Sequence, residues 1–418
     1  MHYFAVKKGW LWCENVRVVN IAKKTGTPVY IYSHRTLAEH YLKINAAFSG
    51  IENLICYSLK ANSSIAVISS LAKLGAGADI VSGGELYRAL RAGIPARKIV
   101  YAGVGKTSEE IEAALKKGVS MFNIESMPEA ERINSIAGKL RKKANVAFRV
   151  NPDVDPDTHH YITTGKKENK FGINISLAAG LFIRAHKKLK NLNVTGVHIH
   201  IGSQITKTGA YVEALKKITV LISKLRASGL SITSLNIGGG LGIIYSNEKP
   251  STPAEFAERV LPVIRPLGVR VIMEPGRFIV GNAGILLAKV TYIKKGENRN
   301  FVILDAGMND LIRPSLYGAF HNIIPAQPAA KGKMKADIVG PICESGDFFG
   351  KNRVVPVLKE GQYLAVMSAG AYGFSMASNY NSRRKPAEVL VKDKKFFVVR
   401  KRESYEDLTR GECIPGRR

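Results

Sequence analysis

The sequence has no long apolar segment. No run of apolar residues approaches the roughly 20 that a membrane-spanning helix needs. The first residues, MHYFAVKKGWLWCENV, also lack the charged-then-apolar order of a secretory signal. We therefore expect a cytoplasmic protein with no membrane partner.

Cysteine is scarce as well. The four cysteines stand far apart, at positions 13, 56, 343 and 413 of 418 residues. No two of them have the spacing of metal ligands, and a disulfide framework is not expected in a reducing compartment. The sequence therefore argues against a zinc module and a disulfide scaffold, and we predict no metal site.

Acidic residues are few relative to basic ones. The chain has 33 Asp and Glu against 62 Lys and Arg, a formal net charge of +29. Such a charge is compatible with a nucleic-acid partner. The basic residues are nevertheless spread in pairs along the chain, without a helix-turn-helix, zinc or aromatic-basic RNA motif. We interpret them as a solvated basic surface and predict no nucleic-acid partner.

One unit of structure recurs along the first two thirds of the chain. A short β-rich run ends in a polar or glycine-rich tip, and a segment with apolar residues every three or four positions follows. Glycine commonly closes these helical segments. The eight runs are ICYSLKAN, GADIVS, IVYAG, MFNIES, VAFRVNP, GVHIHIGS, SLNIGGG and VIMEPGR.

Strands that alternate with helices predict a parallel sheet, and eight such units over about 250 residues fit a (β/α)8 barrel. A doubly wound open sheet is the alternative, but its usual glycine-rich turn after the first strand is absent. After residue 285 the chain turns to β-like runs separated by turn residues. We predict a barrel over 27–285, and a β-sandwich or barrel-like domain from 1–26 together with 286–418.

A barrel of this kind carries its active groups at the carboxyl ends of its strands. Lys60 is the only lysine on a strand tip: it either reaches for solvent or supplies an amine that forms a Schiff base with a carbonyl. The glycines of NIGGGLG (236–242) either form a flexible turn or let backbone N–H groups approach a phosphate. The barrel context favours the phosphate.

Two further tips carry groups suited to a flat, charged cofactor. Glu274 in MEPGR needs a partner, which is either Arg277 or a protonated ring nitrogen. His198 and His200 lack the neighbouring ligands of a metal site. We interpret His198 as structural and His200 as a ring that stacks on the cofactor. Together these groups predict a site for pyridoxal 5'-phosphate.

At this point the chain resembles the fold-type III, alanine-racemase-like pyridoxal-phosphate enzymes, and within them the diaminopimelate decarboxylase family. The motifs run in order over nearly the whole chain, and YSLKAN departs from the family only before its lysine, where alanine and valine are common. The other motifs are RVNPDVDPDTHHYITTGKKENKFGI, HIHIGSQ, NIGGGLG, EPGR, LDAGMNDLIRPSLYGA, GPICESGDFF and SAGAYGFSMASNYNSR.

The resemblance implies pyridoxal 5'-phosphate as cofactor, and three groups of site residues. The catalytic residues would be Lys60, which binds the cofactor, and Cys343, a proton donor that is otherwise read as a small buried residue. The cofactor contacts would be Lys60, Asp79, His200, Ser203, Gly239, Gly240, Glu274, Gly276, Arg277 and Tyr372. The substrate contacts would be Arg277, Arg313, Tyr317, Glu344 and Tyr372.

The implied reaction is decarboxylation of meso-2,6-diaminopimelate to L-lysine and CO2, the last step of lysine biosynthesis. Glu274 favours a decarboxylase, because a racemase of this fold has arginine there. The alternative is a related decarboxylase of ornithine, arginine or carboxynorspermidine, against which Arg313, Tyr317 and Glu344 argue. A non-catalytic cofactor carrier would usually be a bare barrel. The family further implies a head-to-tail homodimer in which Cys343 and Glu344 reach the partner's active site.

Overall fold

The computed structural model describes residues 2–155 and 171–415. The chain divides into two compact units. We call Ala38–Ile244 with Glu248–Ile279 the barrel unit, and Met1–Leu37 with Tyr245–Asn247 and Val280–Arg418 the β unit. The greater part of the motif RVNPDVDPDTHHYITTGKKENKFGI falls on 156–170, outside the described residues.

The strands of the described residues are numbered in chain order. They are β1 Phe4–Lys7, β2 Trp10–Cys13, β3 Val16–Arg17, β4 Val29–Ser33, β5 Asn53–Ser58, β6 Gly77–Ile80, β7 Ile99–Tyr101, β8 Met121–Ile124, β9 Ala144–Asn151, β10 Ile173–Asn174, β11 Leu192–His198, β12 Ser234–Asn236, β13 Arg270–Met273, β14 Gly284–Lys295, β15 Asn300–Leu304, β16 Ile323–Pro325, β17 Lys333–Val339, β18 Phe348–Pro356, β19 Tyr363–Val366, β20 Ala387–Lys392 and β21 Lys395–Arg400.

The helices are numbered in the same way. They are α1 Val18–Thr25, α2 His34–Ala47, α3 Ile65–Ala72, α4 Gly83–Arg91, α5 Ser108–Lys117, α6 Met127–Lys139, α7 Ile175–Lys188, α8 Gly209–Ala227, α9 Pro253–Ile264, α10 Arg277–Val280, α11 Arg313–Tyr317 and α12 Tyr405–Leu408. No helix in the described part of the chain has the length and hydropathy needed to cross a membrane.

The eight predicted strand runs form the barrel. β5, β6, β7, β8, β9, β11, β12 and β13 pair in parallel in that order, and β13 returns to β5 to close the ring. The closure excludes the open doubly wound sheet and confirms the predicted fold class. All eight strand tips therefore lie at one end of the barrel, as the polar groups of a barrel active site require.

Two helices of the barrel unit begin with a capping box. Thr107 and Thr252 each accept a hydrogen bond from a backbone N–H three residues on, and Glu110 and Glu255 reach back to the cap residue. These capping boxes satisfy N–H groups that the helix cannot pair itself. α5 then ends at Gly118 in the left-handed conformation, which glycine adopts without steric cost.

The β unit joins the start of the chain to its end. Its main sheet has the order β18-β17-β15-β14-β4-β20-β21, with β19 and β16 attached beside β14. β4 lies between β14, to which it is antiparallel, and β20, to which it is parallel. The predicted bounds assigned 29–33 to the barrel. All five residues of β4 are buried, and a sheet interior with partners on both edges satisfies such a strand.

Candidate active site at the barrel mouth

Lys60 occupies a short turn directly after β5. Its Nζ lies 3.1 Å from Asp79 Oδ2, and the same oxygen accepts a hydrogen bond of 2.5 Å from Ser58 Oγ. The β5–β6 register explains this meeting, because Ser58 pairs with Asp79. The side chain of Lys60 is 39% exposed, whereas that of Asp79 is fully buried. The amine is thus accessible at the mouth and is oriented by a buried carboxylate.

The pKa of Asp79 is raised above its usual value. Burial and the nearby charge of Glu274 raise the pKa of Asp79, while Lys60 and the hydrogen bond from Ser58 oppose that rise. A carboxylate that is costly to ionise alone gains from an ammonium beside it. The structure therefore couples the charge of Asp79 to that of Lys60.

Glu274 follows β13 and is buried among donors. Its Oε1 accepts hydrogen bonds from Asn123 Nδ2 at 2.9 Å and from Asn236 Nδ2 at 2.6 Å. His198 Nε2 lies 3.3 Å from Oε2. Burial opposes ionisation, but His198, Lys60 and Asn236 outweigh it, and the pKa of Glu274 falls below its usual value. At neutral pH this residue is a buried negative charge.

Two positions of the glycine cluster have no room for a side chain. A Cβ on Gly239 would lie 2.2 Å from the carbonyl oxygen of Glu274, and one on Gly240 would lie 2.4 Å from Tyr211 Oη. Gly240 also has φ +104°, which other residues rarely adopt. Asn236 fixes the loop, since its Oδ1 accepts from Gly238 N–H at 2.9 Å while its amide donates to Glu274.

His200 lies against this loop. Its Nδ1 accepts a hydrogen bond of 3.2 Å from Gly239 N–H, so the neutral ring carries its proton on Nε2. Desolvation and the positive charges of Arg149 and Lys60 lower the pKa of His200 well below its usual value. The imidazole is therefore a flat, uncharged ring at neutral pH.

Ser203, Gly276 and Arg277 complete the predicted barrel set. Arg277 Nη2 donates to Ser203 Oγ at 3.1 Å, which links the last strand tip to the loop after β11. A Cβ on Gly276 would lie 3.0 Å from Ala61 Cβ. Gly276 thereby packs against the turn that carries Lys60.

Sequence reasoning did not assign three side chains as partners of Glu274. His198, which the sequence analysis interprets as structural, lies within contact distance of the carboxylate. Asn123 and Asn236 stand at the ends of β8 and β12, and their strand-end positions predict polar groups at the mouth but not a contact with Glu274. Arg149, which forms an ion pair of 2.9 Å with Glu125, similarly stands near the end of β9.

The groups at the mouth fit pyridoxal phosphate. Two buried oxygens, Asp79 Oδ1 and Asn123 Oδ1, have no hydrogen-bond partner among the described residues. An accessible amine, an ionised buried carboxylate, a neutral flat ring and a glycine backbone cradle match the aldehyde, ring nitrogen, ring face and phosphate of that cofactor.

In the β unit, α11 carries Arg313 and Tyr317. Arg313 is buried, and its Nη1 lies 2.8 Å from His321 Nε2. Its guanidinium carbon also lies 4.7 Å from the centre of the Tyr245 ring. Tyr317 is partly exposed at the end of the helix. The guanidinium is therefore held by neighbouring side chains.

The CESGD loop presents Cys343 and Glu344. Both side chains are exposed in the described chain, and Cys343 is a free thiol. Cys343 is therefore not the small buried residue of the alternative interpretation. Asp347 anchors the loop by accepting hydrogen bonds from Met308 and Ile342 N–H groups. Ser315 Oγ donates to Gly346 carbonyl oxygen at 2.5 Å, which joins α11 to the loop.

Tyr372 stands on a separate segment of the β unit. It is partly buried and has φ 56°, in the left-handed region that a tyrosine seldom occupies. Such conformations persist only where the surrounding structure enforces them, and they concentrate at functional sites.

Known proteins match the chain over almost its entire length. Residues 34–281 match the family described as "Pyridoxal-dependent decarboxylase, pyridoxal binding domain". The chain is 48% identical to a diaminopimelate decarboxylase of Aquifex aeolicus (97% of this chain, 96% of the relative) and 47% identical to one of Vibrio cholerae (99% of both). The crystal structure of diaminopimelate decarboxylase from Helicobacter pylori complexed with L-lysine is 44% identical, with a TM-score of 0.91 over 94% of this chain and 98% of that one.

Proposed function

The chain belongs to the diaminopimelate decarboxylase family of pyridoxal-dependent decarboxylases, and on this premise we propose that it converts meso-2,6-diaminopimelate to L-lysine and CO2. The family and cofactor expected from the motifs are thereby confirmed. The observation that carries the reaction type is the buried, ionised Glu274 beside an accessible Lys60 amine.

Pyridoxal phosphate, when bound, accepts the electron pair that remains on the substrate's α-carbon as CO2 departs. The residues that would hold it are those predicted at the barrel mouth, with Tyr372 of the β unit. They are Lys60, Asp79, His200, Ser203, Gly239, Gly240, Glu274, Gly276, Arg277 and Tyr372.

The barrel residues set the charge of the site. Asp79 orients the amine of Lys60, through which the protein attaches the cofactor. Glu274 stays ionised and would hold a proton on the ring nitrogen of the bound cofactor, which would make the ring a stronger electron acceptor. His200 would pack its neutral face against that ring, and the backbone N–H of Gly240 would donate a hydrogen bond to the phosphate.

The β-unit residues recognise the far end of the substrate. Diaminopimelate carries an ammonium and a carboxylate at both ends, and the end that does not react remains in L-lysine. Arg313 binds that distal carboxylate, because a guanidinium can donate two parallel hydrogen bonds. Tyr317 and Arg277 contact the same carboxylate. Glu344 contacts the distal ammonium.

Cys343 supplies the proton that replaces CO2 on the α-carbon. A thiol in this role must stay reduced, which fits a cytoplasmic enzyme. We further propose a homodimer with two shared sites, in which Cys343 and Glu344 serve the partner's barrel.

The test of the reaction is CO2 release from meso-diaminopimelate compared with ornithine, arginine and lysine. We expect turnover of diaminopimelate alone, because the other three lack the second amino-acid head or a carboxylate on it. Turnover of ornithine at an equal rate would contradict the substrate assignment.

The shared site is tested by mixing two inactive variants, Lys60→Ala and Cys343→Ala. Random reassociation gives heterodimers in which one site has both lesions and the other has none, so activity should return to about a quarter of the wild-type level. If activity does not return although heterodimers form, each site is built from a single chain.

A further inference from the structure

His321 of the β unit follows α11 and precedes β16 in the chain, and it is completely buried. Both nitrogens of its ring have a protein partner. Nδ1 lies 2.8 Å from the carbonyl oxygen of Met367, and Nε2 lies 2.8 Å from Nη1 of Arg313. The imidazole thus bridges the backbone of the β unit and the guanidinium that we assign to the substrate's distal carboxylate.

The two partners determine the state of the ring. A carbonyl oxygen can only accept a hydrogen bond, so Nδ1 of His321 must carry a proton. A guanidinium can only donate, so Nε2 must offer its lone pair to Arg313. One tautomer of the neutral imidazole satisfies both contacts, and the backbone of Met367 selects it.

Tyr245 holds the same two side chains from another side. Its ring meets that of His321 edge to face at 5.3 Å, and the guanidinium carbon of Arg313 lies 4.7 Å from its centre. The guanidinium of Arg313 is thus held by the lone pair of one ring and the face of another, and both contacts constrain its orientation.

We propose that His321 is a positioning residue that fixes the orientation of Arg313 and thereby sets the preference for ligands with a distal carboxylate. This inference rests on the proposed function, in which Arg313 contacts that carboxylate. A bidentate arginine–carboxylate contact depends on the plane of the guanidinium, and a small misplacement of a binding group is costly.

Three substitutions separate the contacts of His321. His321→Gln places a side-chain oxygen near the position of Nε2 and keeps an acceptor for Arg313. His321→Asn can keep a donor toward Met367 but is too short to reach Arg313. His321→Phe retains the ring and its packing on Tyr245 but removes both polar contacts.

The readout is a matched ligand pair. L-lysine retains the distal amino-acid head, whereas cadaverine (1,5-diaminopentane) differs from it only by lacking the carboxylate. We measure Kd for both by titration calorimetry on the cofactor-loaded enzyme, together with KM and kcat for diaminopimelate.

In the Phe and Asn variants we expect Kd for lysine and KM to rise about 10- to 100-fold, the value of a hydrogen bond to a charged group. Affinity for cadaverine and kcat should change less than about threefold. The Gln variant should recover most of the affinity for lysine. If the Phe variant does not fold, the contrast between Gln and Asn carries the same test.

Two results would overturn the inference. One is an unchanged preference for lysine over cadaverine in both the Phe and the Asn variants. The other is a parallel loss of lysine binding, cadaverine binding and kcat, which would indicate general damage. Wild-type CO2 release and the variant Arg313→Lys are measured alongside. If Arg313→Lys loses the preference while His321→Phe keeps it, the proposed function stands and only the role of His321 falls.

Discussion

Two buried carboxylates, one in each unit, have pKa values shifted in opposite directions. In the barrel unit, His198 and Lys60 together with an amide from Asn236 lower the pKa of Glu274 despite its burial. In the β unit, burial raises the pKa of Asp310 to about 7, and a hydrogen bond from Gly307 N–H and the charges of Arg383 and Arg402 only partly offset that rise.

The difference shows that burial alone does not decide the charge of a carboxylate. Both side chains are almost inaccessible to water, at 4% and 1% exposure. Glu274 has an imidazole within 3.3 Å, whereas no Arg or Lys nitrogen lies within 4 Å of Asp310 in the described chain. The barrel unit thus keeps Glu274 negatively charged, whereas the β unit protonates Asp310 more readily.

The largest expected effect comes from removing the amine that helps keep Glu274 ionised. Lys60→Ala should lower kcat more than about 10³-fold, because it removes the attachment point of the cofactor. Borohydride reduction followed by mass spectrometry should place the cofactor on Lys60 in the wild type. The exposed Lys73→Ala is the matched control. An adduct on another lysine would contradict the assignment.

Exchanging each carboxylate for its amide sharpens the contrast. Glu274→Gln should lower kcat about 10²-fold or more, because the amide cannot hold a proton on the ring nitrogen. Both variants are assayed at pH 8. There Asp310→Asn should change kcat less than about threefold. Equal losses in the two variants would mean that the charge of Glu274 has no special role.

The backbone cradle of the barrel can be tested separately. Gly239→Ala should destabilise the barrel unit by about 1–3 kcal/mol and weaken cofactor binding, because the added Cβ would meet the carbonyl oxygen of Glu274. Gly180→Ala is the control. Gly180 lies in α7 with no atom within 4 Å of an added Cβ, so alanine should be neutral or slightly stabilising there. Unfolding midpoints and cofactor titrations measure both.

The smallest effect concerns stability against pH. The folded chain binds a proton at Asp310 that the unfolded chain releases between about pH 4 and pH 7, so the wild type should lose stability as pH rises through that window. In Asp310→Asn the free energy of unfolding should fall less over this window, by on the order of 1–3 kcal/mol. Denaturant unfolding at pH 5 and pH 8 compares the two chains. Parallel curves would show that Asp310 titrates normally.

The barrel and its mouth were predictable because alternation of short strands and capped helices is written locally in the sequence. The partners of Glu274 were not, since Asn123 and Asn236 belong to strands far apart in the chain and meet only through the barrel register. His321 carried no signal at all. It follows Arg313 by eight residues outside any regular element, and its role depends on the carbonyl of Met367 and the ring of Tyr245.

The central position of β4 has a consequence for synthesis on the ribosome. The segment 38–244 with 248–279 is synthesised before residues 280–418 of the β unit. The barrel can therefore close while translation continues. β4 has already emerged, but its partner β20 begins only at Ala387. A nascent chain that stalls before that point leaves one edge of β4 without its partner, although all five of its residues are buried in the folded chain, and such edges recruit other chains. Complete translation is therefore a condition for the solubility of the β unit.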